Sequence, residues 1–440
     1  MYSLSSDWQN VFVGLLMLNM KYVIEHIDEI RRSLTLRHNN FPIDELLKLY
    51  KLSAEIEEKL QSLNQERNKG SKEISKTTKT EKRVGELRKI KEQIDILEEQ
   101  SNLCEEKIGL LLPKLPNLLD FSVPEGLTYE DSKELRLSGK IKNVSLDNFE
   151  KLLEKANFTD TATASELTGR RFYFLKNDFV LLEHALIKYT LDFLSKREFS
   201  IIEPPLLLRE KYYNNVVDMA KYKNILYRAT SAQQEGENDD ATYLIASSEH
   251  IIASTQAGKL LVSNSLPIKY ASVSTCFRNE PQTKGKDLKG LFKVHQFNQV
   301  DQFVFCKENE SDMVFDELQK NQEEFVQSLD LPYKVFAVCS GDLSIKATKA
   351  LDLKVYVPSE GKYKEYGYCA DLTDWQSRRL DIRYDDKGER KYVHTVTCTL
   401  ASFPRILLYL FQNKIMSDSF IEVPDSLVPY MGKSKIQLEV

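Results

Sequence analysis

Leu46, Leu49, Leu52, Ile56, Leu60 and Leu63 recur three or four residues apart, the spacing that keeps one face of a helix apolar. A second series runs Leu87, Ile90, Ile94, Leu97, Leu103 and Ile108. Between them the chain is polar from Arg67 to Thr80, with Gly70 and Ser75-Lys76-Thr77-Thr78 as breakers. Two long helices joined by a polar tip predict an antiparallel coiled-coil hairpin over about residues 42–112. Pro113, Pro116 and Pro124 end it and open a linker. From Glu166 the pattern changes to short apolar runs: strands are expected at 171–175, 201–202, 243–245, 270–278, 292–305, 333–338, 351–357 and 392–399, and helices at 181–197 and 405–412. Strands of this kind, interrupted by long helices, predict an α+β fold with an antiparallel sheet rather than alternating βαβ units. The expected organisation is an amino-terminal region at 1–120, a linker at 121–165 and an α+β domain at 166–440.

Composition narrows the classes. A chain of 440 residues with 42% hydrophobic and 29% charged content suits a globular protein of two or three domains. The net charge of −5 excludes a global attraction to nucleic acid, so any basic surface is local. It falls at the tip of the hairpin, where Arg67 to Lys91 holds ten basic against three acidic residues. Arg67, Lys69, Lys72, Lys76, Lys79, Lys82 and Arg83 form a candidate phosphate-binding patch, and a solvated helical face accounts for the same charges equally well. Six cysteines without a CxxC or Cys/His spacing point to buried thiols, not to a zinc site or disulfide framework. No apolar run is long enough for a membrane span, and the first sixteen residues, with no Lys or Arg and with Asp7, make a poor presequence.

The chemistry is concentrated at Phe277-Arg278-Asn279-Glu280 and Val294-His295-Gln296-Phe297. Arg278 and Glu280, two apart on an expected strand, would point the same way. A guanidinium beside a carboxylate can hold a phosphate and an adenine edge together. His295, also expected on a strand, reads as a core residue.

This block resembles motif 2 of the class II aminoacyl-tRNA synthetases, and its wording is similar to that of the seryl-tRNA synthetases. The likeness extends in order along the chain. It covers Met17-Leu18-Asn19-Met20-Lys21, the helical hairpin, Leu115-Pro116-Asn117, and a motif 1 segment from Phe199 to Pro205. It continues with Ser247-Ser248-Glu249, the block from Glu365 to Arg379, Arg405 of motif 3, and Pro429-Tyr430-Met431-Gly432. His394-Thr395-Val396 and Pro404-Arg405 look most like the mitochondrial branch, which includes a synthetase-like paralogue in insects.

The resemblance implies a class II catalytic domain behind a tRNA-binding arm, with tRNA(Ser) as partner. It also implies a homodimer, or a heterodimer with an active synthetase, and mitochondrial placement with the cytoplasm as the alternative. It implies ATP as substrate and Mg²⁺ as its ion if the site is active. Arg278 and Arg405 would then be the catalytic cations and, with Glu280, Phe297 and Glu365, the ATP contacts. Glu365 would also be the Mg²⁺ ligand, and Ser247, Glu249, Asp301 and Thr399 would frame the serine.

Several positions depart from the family's wording: Lys293, Asp301, Tyr368, Asp371, Thr397 and Gln412, together with the motif 2 loop at Pro281-Gln282-Thr283-Lys284. Tyr368 is expected to fill space meant for phosphate or metal. Asp301 is one methylene shorter than the expected glutamate, a loss of about 1 Å of reach. Two outcomes follow: a tRNA-binding protein with aminoacylation lost or impaired, or an active serine–tRNA ligase with compensations elsewhere. An aminoacyl-carrier ligase is a third reading, and the long arm argues against it.

Overall fold

The computed structural model describes residues 20–74, 81–141, 152–153, 155–230, 241–280, 291–416 and 420–438. The chain forms two compact units, Met1–Pro116 and Asn117–Val440. The first is helical: α1 (Ile27–Leu36), α2 (Ile43–Ile74) and α3 (Glu81–Leu111). Asp44 and Glu45 in the first turn of α2 suit the positive end of its dipole. Leu46 and Ile56 from α2, and Ile94 and Ile108 from α3, are buried along the shared seam, whereas Leu52 and Leu103 of the same series are exposed. Gly70 does not break α2, which runs through it to Ile74. A Cβ at Gly70 would lie 2.7 Å from Cδ2 of Leu87, so the glycine lets the two helices approach closely. Because Gly70 is late in α2 and Leu87 early in α3, the pair is an antiparallel hairpin.

The second unit is built on an eight-stranded sheet. Its elements in chain order begin with β1 (Lys133–Ser138), α4 (Asp178–Ser195), β2 (Ser200–Ile202), α5 (Ser248–Ser254), β3 (Ile268–Phe277) and β4 (Gln296–Cys306). They continue with α6 (Ser311–Ser328), β5 (Tyr333–Ala337), β6 (Lys349–Val357), β7 (Lys362–Thr373), α7 (Trp375–Leu380), β8 (His394–Ser402) and α8 (Phe403–Lys414). The strand order is β1-β5-β6-β7-β8-β4-β3-β2, antiparallel throughout except for the outer β2–β3 pair. This is the α+β class expected, with β1, β7, α5, α6 and α7 as elements the apolar pattern did not mark.

Alternation along β4 divides the two faces. Val300, Val304 and Cys306 join the core formed with α4, α6 and α8. On the same face Gln302 donates to the carbonyl of Leu318 in α6. Phe303 and Phe305 face the opposite way, into a second core with Tyr213, Ile252 and Ile382. The odd-numbered residues of β4 therefore share a face with α5, where the candidate chemistry collects.

Two strand expectations change near the site. β3 ends at Phe277, so Arg278 and Glu280 lie beyond the strand and period-two alternation does not align them. Glu280 N–H instead donates to the carbonyl of Arg278, closing a tight turn. Residues 292–295 likewise precede β4, and His295 is a loop residue whose Nδ1 pairs with the Tyr227 hydroxyl at 2.7 Å.

Candidate active site

A cavity of about 400 Å³, a size ordinary for small-molecule sites, opens on the α5 side of the sheet. Its walls include Ser247, Glu249, Arg278, Glu280, Lys293, Phe297, Glu365, Tyr368, Thr399 and Arg405. The tight turn after β3 thus brings Arg278 and Glu280 to one cavity by a route different from the expected one. A larger groove of about 710 Å³ runs along α6 and β1 and contains none of the candidate site residues.

One end of the cavity is cationic and aromatic. Arg278 donates through Nε to the Ala246 carbonyl at 2.9 Å and lies 5.1 Å from the centre of the Phe297 ring. Arg405, beside Pro404 in the first turn of α8, donates weakly to the Phe292 carbonyl and pairs with Glu365 at 3.1 Å. Arg405 first, against the effect of burial, holds the Glu365 carboxyl below its ordinary pKa. Tyr368 reaches the wall from β7, and the cavity is open with the phenol in place. The bulge between Leu353 and Lys354 sets which β7 residues face the cavity. Gly367 turns toward Gln322 of α6, and Tyr368 to the opposite side.

The other end is different. Asp301 is almost wholly buried and is not part of the wall. Its carboxylate accepts from Ser247 Oγ (3.2 Å), Ser248 Oγ (2.6 Å) and Gln299 Nε2 (2.5 Å). Burial pushes its pKa up, and bonds from Ser248, Thr399 and Gln299 pull the other way. Glu249 does line the cavity, and its Oε1 accepts both the Lys346 ammonium and Gln376 Nε2, the latter at 2.9 Å. Burial alone would raise the Glu249 pKa; Lys346, His250 and these bonds hold it below its usual value. Burial likewise opposes the charge on Lys346, and Glu249 keeps the ammonium in place. Next to this pair, burial drives the His250 pKa down to about 3.

Three further departures lie off the wall. Asp371 accepts the Thr373 N–H at 2.9 Å, on the side of β7 where it meets Lys349 and His394. Thr397 is buried in β8, paired with Phe303 of β4. Gln412 accepts the Ser359 N–H and ties α8 to the turn after β6. None of the three lines the cavity. Lys346, Ser248 and Gln299 carry contacts that sequence reasoning did not assign. Nothing in the spacing of the chain signals that a lysine in the loop after β5 meets a carboxylate in α5.

The basic tip divides in the same way between what is described and what is not. Lys69 and Lys72 are exposed and Arg67 is half-buried on α2. Lys76 and Lys79 lie outside the described residues, as does the motif 2 loop at 281–290, and only the helical backbone is described at Lys82 and Arg83.

Residues 17–119 match the seryl-tRNA synthetase N-terminal domain, and residues 230–414 match the tRNA synthetase class II core domain (G, H, P, S and T). A serine–tRNA ligase of Picrophilus torridus is 35% identical over 91% of this chain and 95% of its own length. The chain belongs to the seryl-tRNA synthetase family. A serine–tRNA ligase of Thermococcus sibiricus is 34% identical over 96% of the chain and 97% of its own length. Among solved structures, the seryl-tRNA synthetase of Pyrococcus horikoshii complexed with ATP superposes with a TM-score of 0.89 at 31% identity, covering 96% of this chain and 99% of that one. The cytoplasmic serine–tRNA ligase of Naegleria fowleri in complex with AMP gives 0.83 at 29% identity, covering 94% and 96%. The seryl-tRNA synthetase fold is thus matched over nearly its whole length, arm included.

Proposed function

We propose that this seryl-tRNA synthetase family member binds tRNA(Ser) and an adenine nucleotide, and that its serine activation is lost or severely impaired. The observation that carries the reading is Asp301. A carboxylate meant to receive an α-ammonium must face the cavity with an oxygen free to accept; this one lies behind the wall, bonded by Ser247, Ser248 and Gln299. A misplacement on the order of 1 Å in such a contact costs roughly 100-fold in rate. The nucleotide end supports retained ATP binding: Arg278, Phe297 and Arg405 all border the cavity. Mg²⁺ enters as an ion carried on the nucleotide's phosphates, for which Glu365 offers one protein carboxylate.

The second reading is an active serine–tRNA ligase, favoured by near full-length relatives that carry that name. Serine-dependent ATP–pyrophosphate exchange on the purified protein separates the two. Background exchange together with measurable ATP binding is the expected result, and robust exchange sinks the impaired reading. For tRNA, charge reversal at Lys76, Lys79, Lys82 and Arg83 should abolish a salt-sensitive gel shift, whereas binding that persists would place the tRNA elsewhere.

The proposal extends to a dimer, homo- or heteromeric, supported by exposed Leu181 and Ile201 in and near the motif 1 segment. It also extends to mitochondrial placement, supported by the wording around His394 and Arg405, with the cytoplasm as alternative. Light scattering on the purified protein, and import of the labelled full-length precursor into isolated mitochondria, test these two points.

A further inference from the structure

The Lys346–Glu249 pair is an unusual object to find on a cavity wall. Both residues border the space, both are buried against the protein on their other sides, and they come together across 97 positions of sequence. The backbone under Lys346 is pinned. Asn117 donates its side-chain amide to the Lys346 carbonyl (3.0 Å) and its backbone N–H to the Ile345 carbonyl (2.7 Å). The same amide also reaches the Leu372 carbonyl and the Thr373 hydroxyl, so the loop is fastened to the end of β7. The lysine is therefore held where it stands, with its ammonium on a carboxylate that fronts the open cavity.

We propose that Lys346 is a built-in occupant of the amino-acid subsite, its ammonium taking the Glu249 carboxylate that a free amino acid would otherwise engage. The cavity then accepts an adenine nucleotide and turns away the amino acid. A tethered ammonium acts at an effective concentration on the order of millimolar or higher, so a free amino acid at ordinary concentration does not displace it. A buried ion pair contributes little net stability once desolvation is counted, so stability alone does not explain its placement on a cavity wall. The inference rests on the proposed function, since it assumes that this end of the cavity is the amino-acid end, and it adds the group responsible for exclusion.

Calorimetry with seryl sulfamoyl adenosine, a nonhydrolysable mimic of seryl adenylate, and with sulfamoyl adenosine, which lacks the amino acid, provides the test. The wild type should bind the two within about threefold of each other. K346A should bind the seryl mimic about 30-fold more tightly than the wild type and leave sulfamoyl adenosine unchanged. Because K346A strands the Glu249 charge, K346A/E249Q is the companion variant; it leaves no unpaired buried charge and keeps an acceptor oxygen, and about tenfold tightening is expected. Thermal melting identifies a variant that fails to fold, and the other then decides. Wild-type discrimination of about 30-fold in favour of the seryl mimic, or no tightening in a folded variant, overturns the occupant. If tightening is absent while wild-type serine-dependent exchange stays at background, the occupant falls alone. If the wild type catalyses exchange, the proposed function falls and the occupant with it.

Discussion

The two ends of the cavity use the same kinds of residue to opposite effect. At the proposed nucleotide end, Glu365 of the Glu365–Arg405 pair is half exposed, so an incoming phosphate can compete with that carboxylate for the arginine. At the proposed amino-acid end, Glu249 and Asp301 are engaged by partners that belong to the protein: Lys346 and Gln376 for one, Ser247, Ser248 and Gln299 for the other. A carboxylate is a binding group only while a ligand can offer it more than its neighbours do. A carboxylate stands at both places, and the difference lies in who holds it.

The largest expected effect comes from Arg405→Ala, which removes one of the cations at the proposed phosphate end. ATP affinity should fall about 100-fold by calorimetry, and a change below about threefold would mean that this end is not the nucleotide end.

Asp301→Glu tests the other end. The added methylene enters a buried position already filled by hydroxyls, so stability should fall by about 1–3 kcal/mol in thermal melting, with serine binding still absent. Recovery of serine binding by this change alone would show that reach, and not occupancy, separates the two ends.

His250 sharpens the contrast through pH. Its folded pKa of about 3 lies below the ordinary value of 6.5, because burial between the rings of Tyr213 and Tyr222 disfavours the charged form. Between those values the unfolded chain binds the proton and the native protein does not. Stability is therefore lost as pH falls from about 6.5 toward 3, with a slope of up to about 1.4 kcal/mol per pH unit. His250→Phe should flatten that part of a melting-temperature profile, and an unchanged slope would assign it to other groups.

The smallest effect belongs to Thr397→Val, which keeps the shape of a buried side chain off the wall. Stability should move by about 1 kcal/mol or less and ATP affinity not at all. A drop in affinity would return Thr397 to the site.

Much of the molecule is legible in its sequence. Apolar spacing marked both helices of the arm, and short apolar runs marked β3, β4, β5, β6 and β8 close to their bounds, because burying one face imposes a local period. β1 and β7 were missed for the same reason. β1 is largely exposed, and β7 opens with the polar run Lys362–Glu365, so neither shows the period at its start. Arg278, Phe297, Glu365 and Arg405 were found as a group because the blocks that hold them resemble motifs of the seryl-tRNA synthetases, and the fold places all four on one cavity.

What the sequence determined by itself is the family, the architecture and the grouping of Arg278, Phe297, Glu365 and Arg405, since each rests on identity or on spacing within one element. Only the tertiary structure decided that Asp301 sits behind the wall, that Asp371, Thr397 and Gln412 lie off it, and that Lys346 reaches Glu249. A side chain's partners across 97 residues depend on strand register, bulges and loop anchoring, and none of these leaves a period in the chain.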